Sequence, residues 1–214
     1  MVERGPGGTI RHIDAGDGLG ASLRTLPGAG DVRAVVLALD GAATGGAADV
    51  EALLAVPQPV IAAITGACAG LAFELALACD VRMAADDATV TADPAALAAA
   101  ARLTRLVGEA RAKDLVLTGR AVGAADALRL GVVTRVVPAA ALAGAAHAAA
   151  ELIASRAPLA ARAVKQALGR ARDLAPAEAL ALEHEHFERL ITSRDHREAL
   201  AAFFARRPPV FTGS

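Results

Sequence analysis

The sequence predicts a mixed α/β fold, and three observations carry that prediction. Val32–Leu39 is almost entirely aliphatic and hardly alternates, the pattern of a strand covered on both faces. A second apolar run, Pro59-Val60-Ile61-Ala62-Ala63-Ile64, passes directly into a turn of small residues and a helical segment. The last part of the chain has the alanine- and leucine-rich pattern of helices, punctuated by Pro158, Gly169 and Pro176.

The elements follow in order. Residues 9–13 form a short strand, and residues 14–20 and 27–30, rich in Gly, Asp and Pro, form loops. After the strand at 32–39, the small-residue loop 42–48 runs into a short helix over 49–54 that stops near Pro57. The strand at 59–64 leads through Gly66 and Gly70 into a helix carrying Glu74. Residues 80–84 and 88–91 are further strands. Residues 95–117 are helical, with Gly108 the break between two helices, and residues 131–138 are the last strand. Periodicity alone leaves α/β and α+β both open. No internal repeat or low-complexity linker is present.

Composition excludes several classes. Net charge is −1 and aromatic residues make up 2% of the chain, so neither a basic footprint nor stacking rings for nucleic acid are present. The two cysteines, Cys68 and Cys79, share one apolar stretch and are expected to be buried free thiols, with no disulfide or metal spacing. His184 and His186 are two apart, the wrong spacing for one helical face, so no metal pair is expected. The apolar stretch 56–78 contains Glu74, Pro and Gly and is not expected to cross a membrane. No signal peptide is visible at the N-terminus. The expected location is cytoplasmic, with no nucleic-acid or membrane partner.

The most informative segment is Gly66-Ala67-Cys68-Ala69-Gly70-Leu71-Ala72-Phe73-Glu74-Leu75-Ala76. A strand, a turn of small residues and a helix start place backbone N–H groups and a positive helix end in a cleft. Such a place suits an anion, or a carbonyl oxygen about to become one. The carboxylate beside it can then move a proton.

These residues resemble the crotonase (enoyl-CoA hydratase/isomerase) superfamily. The resemblance continues through Leu103-Thr104-Arg105-Leu106-Val107-Gly108, Leu117-Thr118-Gly119-Arg120, Leu130-Gly131-Val132-Val133 and the closing Arg206-Arg207-Pro208-Pro209-Val210-Phe211, and covers residues 32–214. It implies an α/β fold with a crotonase-like β-β-α spiral core over residues 1–150. Residues 151–214 would then be a helical segment for oligomerisation and for covering coenzyme A. Family members are commonly trimers or hexamers, so a homo-oligomer is expected.

The resemblance also implies a coenzyme A thioester as substrate, with no separate cofactor and no metal. Its carbonyl oxygen would lie between the backbone N–H groups of Ala48 and Leu71. Donors fixed in the fold need not reorganise as charge develops on that oxygen. Ala47, Asp49 and Gly70 flank these donors and would line the coenzyme A site. Without the resemblance, Gly45-Gly46 reads simply as a surface turn. Glu74 would be the acid/base; its alternative role is a carboxylate at a helix start, complementing the dipole.

Where hydratases of the family carry a second glutamate, this chain has Pro94, preceded by Asp93. Asp93 is either a shorter partner acid or a helix N-cap with Pro94 at the first helical position. Other departures are Gly70-Leu71-Ala72 where the family usually has consecutive glycines, a shortened segment between Asp49 and Pro57, and a glycine-free stretch after Pro94. The usual long first helix is missing. Phe203 and Arg206 fall where the family places an aromatic and a basic residue near the adenine and phosphates of coenzyme A; the alternative is a solvated basic tail. The implied activity is enoyl-CoA hydratase/isomerase-type chemistry through a thioester enolate. The alternative is a weakly active or inactive subunit of the same fold that assists a partner enzyme.

Overall fold

A computed structural model describes residues 1–5, 8–41, 43–94, 97–171 and 173–214. Among these the strands are β1 (Val2–Gly5), β2 (Gly8–Asp14), β3 (Val32–Leu39), β4 (Val60–Ile64), β5 (Ala67–Cys68), β6 (Val81–Ala85), β7 (Thr89–Thr91), β8 (Ala121–Gly123) and β9 (Arg135–Val137). One six-stranded sheet has the order β1-β2-β3-β4-β6-β9, parallel throughout except for the β1–β2 pair. A small sheet, β5-β7-β8, stands beside it. Together with the helices below, this is the crotonase-type α/β architecture.

β3 and β4 pair in parallel from Val35↔Val60 to Leu39↔Ile64. All five residues of β4 are buried, which explains why neither strand alternates in sequence: both faces are covered. One cover is α7 (Leu142–Ala154), whose buried stripe Leu142, Ala146, Ala150, Ala154 packs against β2, β3, β4 and β6. Alanines one turn apart let this helix lie close to the sheet. A division of the chain at residue 150 falls inside α7. Elsewhere α1 (Leu19–Thr25), α2 (Ala47–Leu54), α3 (Gly70–Ala78) and α4 (Leu97–Val107) pack successively, each on the next.

Several expectations are corrected. Leu19 and Gly20, expected in a loop, begin α1, because Leu19 and Leu23 bury one turn apart against the core. The last strand is Arg135–Val137 alone. The amides of Val132 and Val133 donate to Ala127 O, and Val132 O accepts from Arg82 Nε at 2.7 Å, so neither residue joins the sheet. β1, which precedes the strand expected to begin the fold, and the short β5 and β8 are further strands beyond those expected. Gly108, with φ 82°, separates α4 from α5 (Glu109–Thr118) as expected. The start of the helix expected from residue 95 lies outside the described residues.

α6 (Ala124–Leu130) precedes β9, and α8 (Pro158–Arg170), α9 (Pro176–Ile191) and α10 (Arg194–Phe204) close the chain. Pro158 and Pro176 each occupy the first helical position, where a missing N–H costs nothing. Gly169 does not punctuate; it lies within α8, one residue from its end. Asp80, just past α3, accepts from Val60 N at 2.7 Å and pairs with Lys165 of α8 at 2.8 Å, tying the start of β4 to the C-terminal helices. Residues 207–214 fold back along α10. The 2% exposed Asp195 accepts from the amides of Thr212 and Gly213 at 2.7 and 2.9 Å. Among the described residues no helix is long and apolar enough to cross a membrane.

Candidate active site

The carboxyl ends of the adjacent parallel strands β3 and β4 feed two loops that come together. Thr65 N donates to Leu39 O at 2.8 Å. The backbone of Gly41 lies so close to Ala67 that a Cβ there would collide with its carbonyl. In open parallel sheets this edge, where neighbouring strands hand over to helices, is where ligands bind.

The first loop ends at α2. Gly46 is its extended N-cap, and the Asp49 carboxylate reaches back to Gly46 N at 2.9 Å. The second loop ends at α3, where Gly70 takes φ 54°, a left-handed turn that suits glycine and aims the chain into the helix. The two starts adjoin: a Cβ built on Gly45 would lie 3.5 Å from Leu71 Cδ2 and would collide with Asp49. Ala48 and Leu71 are thus each the second residue of a helix. Their N–H groups have no intrahelical acceptor, and neither makes a backbone hydrogen bond among the described residues. Two helix N-termini beside one another favour negative charge between them. Both helix starts were expected from the sequence, the first at Asp49; the structure begins that helix two residues earlier, at Ala47, with the Asp49 carboxylate closing back on Gly46.

Glu74 is the fifth residue of α3, just beyond the first turn, where a carboxylate complements the helix dipole most strongly. Its neighbours Phe73, Leu75, Ala76 and Leu77 are buried. Glu74 itself is half-buried, and its carboxylate makes no hydrogen bond or ion pair with any described residue. A carboxylate held in an otherwise apolar helix, without an internal partner, is available to a ligand.

Asp93 is exposed on the connection between β7 and α4, both of which pack against α3. Its capping of the following helix involves residues 95 and 96, outside the described residues. Phe203 and Arg206 sit elsewhere, on α10 and its end. Phe203 is 76% exposed and meets Phe204 edge-on at 5.6 Å. Arg206 is exposed with φ 51°. α10 packs against α9.

Cys68 and Cys79 are buried and free; burial pushes the Cys68 thiol up to about 12 and the Cys79 thiol up as well. No His, Cys, Asp and Glu grouping that could hold a metal occurs among the described residues. A cavity of about 290 Å³ adjoins the first loop, lined by Asp17, Arg24, Thr44, Gly45 and Asp49 among others.

The fold defines a class: crotonase-type α/β proteins, here with two helix starts side by side at the carboxyl edge of a parallel sheet. The sequence profile described as Enoyl-CoA hydratase/isomerase matches residues 42–214, and the chain belongs to that family. A probable enoyl-CoA hydratase of Mycobacterium bovis is 42% identical over 166 residues, 75% of this chain and 65% of that protein. The (E)-benzylidenesuccinyl-CoA hydratase of Thauera aromatica is 38% identical over 163 residues, 73% of this chain and 64% of that protein. The chain therefore spans just under two thirds of these relatives. The solved enoyl-CoA hydratase of Bacillus anthracis is 30% identical with a TM-score of 0.87, covering 100% of this chain and 99% of that one.

Proposed function

We propose that this chain binds an acyl-CoA thioester and stabilises its enolate between the N–H groups of Ala48 and Leu71, with Glu74 moving the proton. The observation that carries the reading is the half-buried Glu74 carboxylate, without a partner among the described residues, one turn beyond Leu71 in α3. One carboxylate is enough for double-bond migration: it removes a proton from one carbon of the thioester chain and returns it at another, while the enolate oxygen stays between the two donors. Adding water asks for a second group to hold the nucleophile, and Asp93 is the acid beside Pro94, where hydratases of the family carry their second glutamate. Double-bond isomerisation is therefore the better-supported chemistry, with hydration dependent on Asp93. Ala47, Asp49 and Gly70 shape the approach to the donors. Coenzyme A enters only as part of the substrate.

Turnover of purified protein on a 3-enoyl-CoA and on crotonyl-CoA tests this. Glu74→Gln, similar in size and uncharged, is expected to reduce kcat by about a hundredfold or more while coenzyme A binding is kept. Unchanged turnover in that variant overturns the assignment of Glu74. A second reading, a supporting subunit with weak activity, is favoured by the exposure of Thr44 to Ala48, since an open site excludes water poorly. Binding of coenzyme A with no turnover on either substrate, and stimulation of a co-purifying enzyme, would favour it.

We also propose that the chain assembles with itself in the cytoplasm as a trimer or hexamer. Leu168, Phe187, Phe203 and Phe204 on α8 to α10 are 71, 61, 76 and 80% exposed, more apolar surface than a lone chain normally leaves open. Light scattering after gel filtration is expected to give a mass three or six times that of the chain.

A further inference from the structure

A second cavity, of about 810 Å³, lies at the other end of α3, closed by α4, α8 and α9. Neither Ala48, Leu71 nor Glu74 lines it. Its lining has two characters. Five cationic side chains, Arg102, Arg105, Lys165, Arg170 and Arg189, face two carboxylates, Asp80 and Glu185. Both carboxylates are already engaged, Asp80 with Lys165 at 2.8 Å and Glu185 with Arg189 at 3.5 Å, and Arg105 is held by Asp173 at 2.7 Å, which leaves a smaller but net positive excess. The opposite character is apolar: Leu54 and Leu106 border it while 45 and 37% exposed, and Leu77 and Leu182 lie beside them.

His186 is the polar group that the fold leaves unsatisfied here. It is 8% exposed, and its Nδ1 lies 2.8 Å from Arg189 Nη2. A guanidinium only donates, so Nδ1 accepts and the ring proton sits on Nε2. That Nε2–H is buried and has no acceptor. Buried donors are almost always matched, so an unmatched one at a cavity wall marks where an acceptor belongs. The ring also borders a smaller cavity of about 260 Å³ between α8 and α9.

We propose that this cavity is a binding site for an amphiphilic organic anion, its carboxylate received by His186 Nε2–H and the surrounding cations, its alkyl body lying over Leu54, Leu77 and Leu106. The volume is in the range of small-molecule pockets, and the excess of positive charge opposite an apolar wall selects a head and a tail together. The site is separate from the one at Glu74 and stands without it. It was not visible in the sequence, where His186 looks like one more polar residue on a charged helix.

The test uses the full chain and decanoate as probe, followed by calorimetry. Saturable binding of one decanoate per chain is expected, with decanol, which has the same tail and no charge, binding more weakly. His186→Phe removes the donor and keeps the ring; affinity is expected to fall about tenfold. Arg170→Gln, at an exposed position where folding is not at stake, is expected to weaken binding and flatten its salt dependence. Saturating coenzyme A should leave decanoate bound. No saturable binding, equal binding of decanol, affinity unchanged in Arg170→Gln, or displacement by coenzyme A would each overturn the proposal.

Discussion

Arg206 is the one described non-glycine residue with positive φ, and its place explains it. Arg206 N donates to Phe203 O and Arg207 N to Ala202 O, the paired bonds that end a helix on a left-handed residue. Glycine is the usual occupant, and any other L-residue is strained there by about 1 kcal/mol. Arg206→Gly is accordingly expected to stabilise the chain by up to that amount, read as a raised thermal midpoint. Nearby, Glu198 receives both Arg207 Nη1 and Nη2, at 2.5 and 2.8 Å, and Val210 N at 2.8 Å. These bonds, the Arg207 side chain first, hold its carboxyl down at about 2, against 4.5 without them. The pH sign follows: a depressed carboxyl stabilises the folded tail above 4.5, and that contribution is lost as pH falls from there through about 2. The Val210 amide signal is expected to move with a midpoint near pH 2, and Arg207→Gln to shift that midpoint upward.

Among the elements, β6 and its neighbours depend on a buried cation. Arg82, 6% exposed, donates to Val132 O and Cys79 O, both at 2.7 Å, and burial lowers its pKa from the ordinary value. Arg82→Met fills similar volume but leaves two buried carbonyls without a donor. A loss of about 2–4 kcal/mol is expected by urea unfolding. The last strand is shorter than its composition suggests because Ala127 O takes the amides of Val132 and Val133 and the Arg82 guanidinium, fifty positions away, takes Val132 O. β3, β4 and α3 were legible because burial on all sides writes itself as continuous apolar composition. β5 and β8, at two and three residues, are too short to carry a pattern.

For the molecule as a whole, the sequence located the loops of the candidate site but not their relation. Gly45 against Leu71, and Gly41 against Ala67, are meetings of distant segments imposed by the β3–β4 register. The family resemblance supplied Ala48; the structure adds that Ala48 and Leu71 occupy equivalent positions in two helices. It was composition that hid this, since glycine and alanine loops look alike whether or not they cap anything. The His186 cavity was likewise out of reach, being walled by parts of α2, α3, α4, α8 and α9 that only the fold brings together.

The burial of α3 has a consequence for how this protein can fail. A helix enclosed on nearly every side cannot tilt or fray without opening the core, so the positions of the Leu71 amide and Glu74 inherit the stability of the whole fold. Local loosening, the usual first route by which an enzyme loses activity on heating, is closed at this end of the site. Inactivation and global melting should therefore trace a single curve.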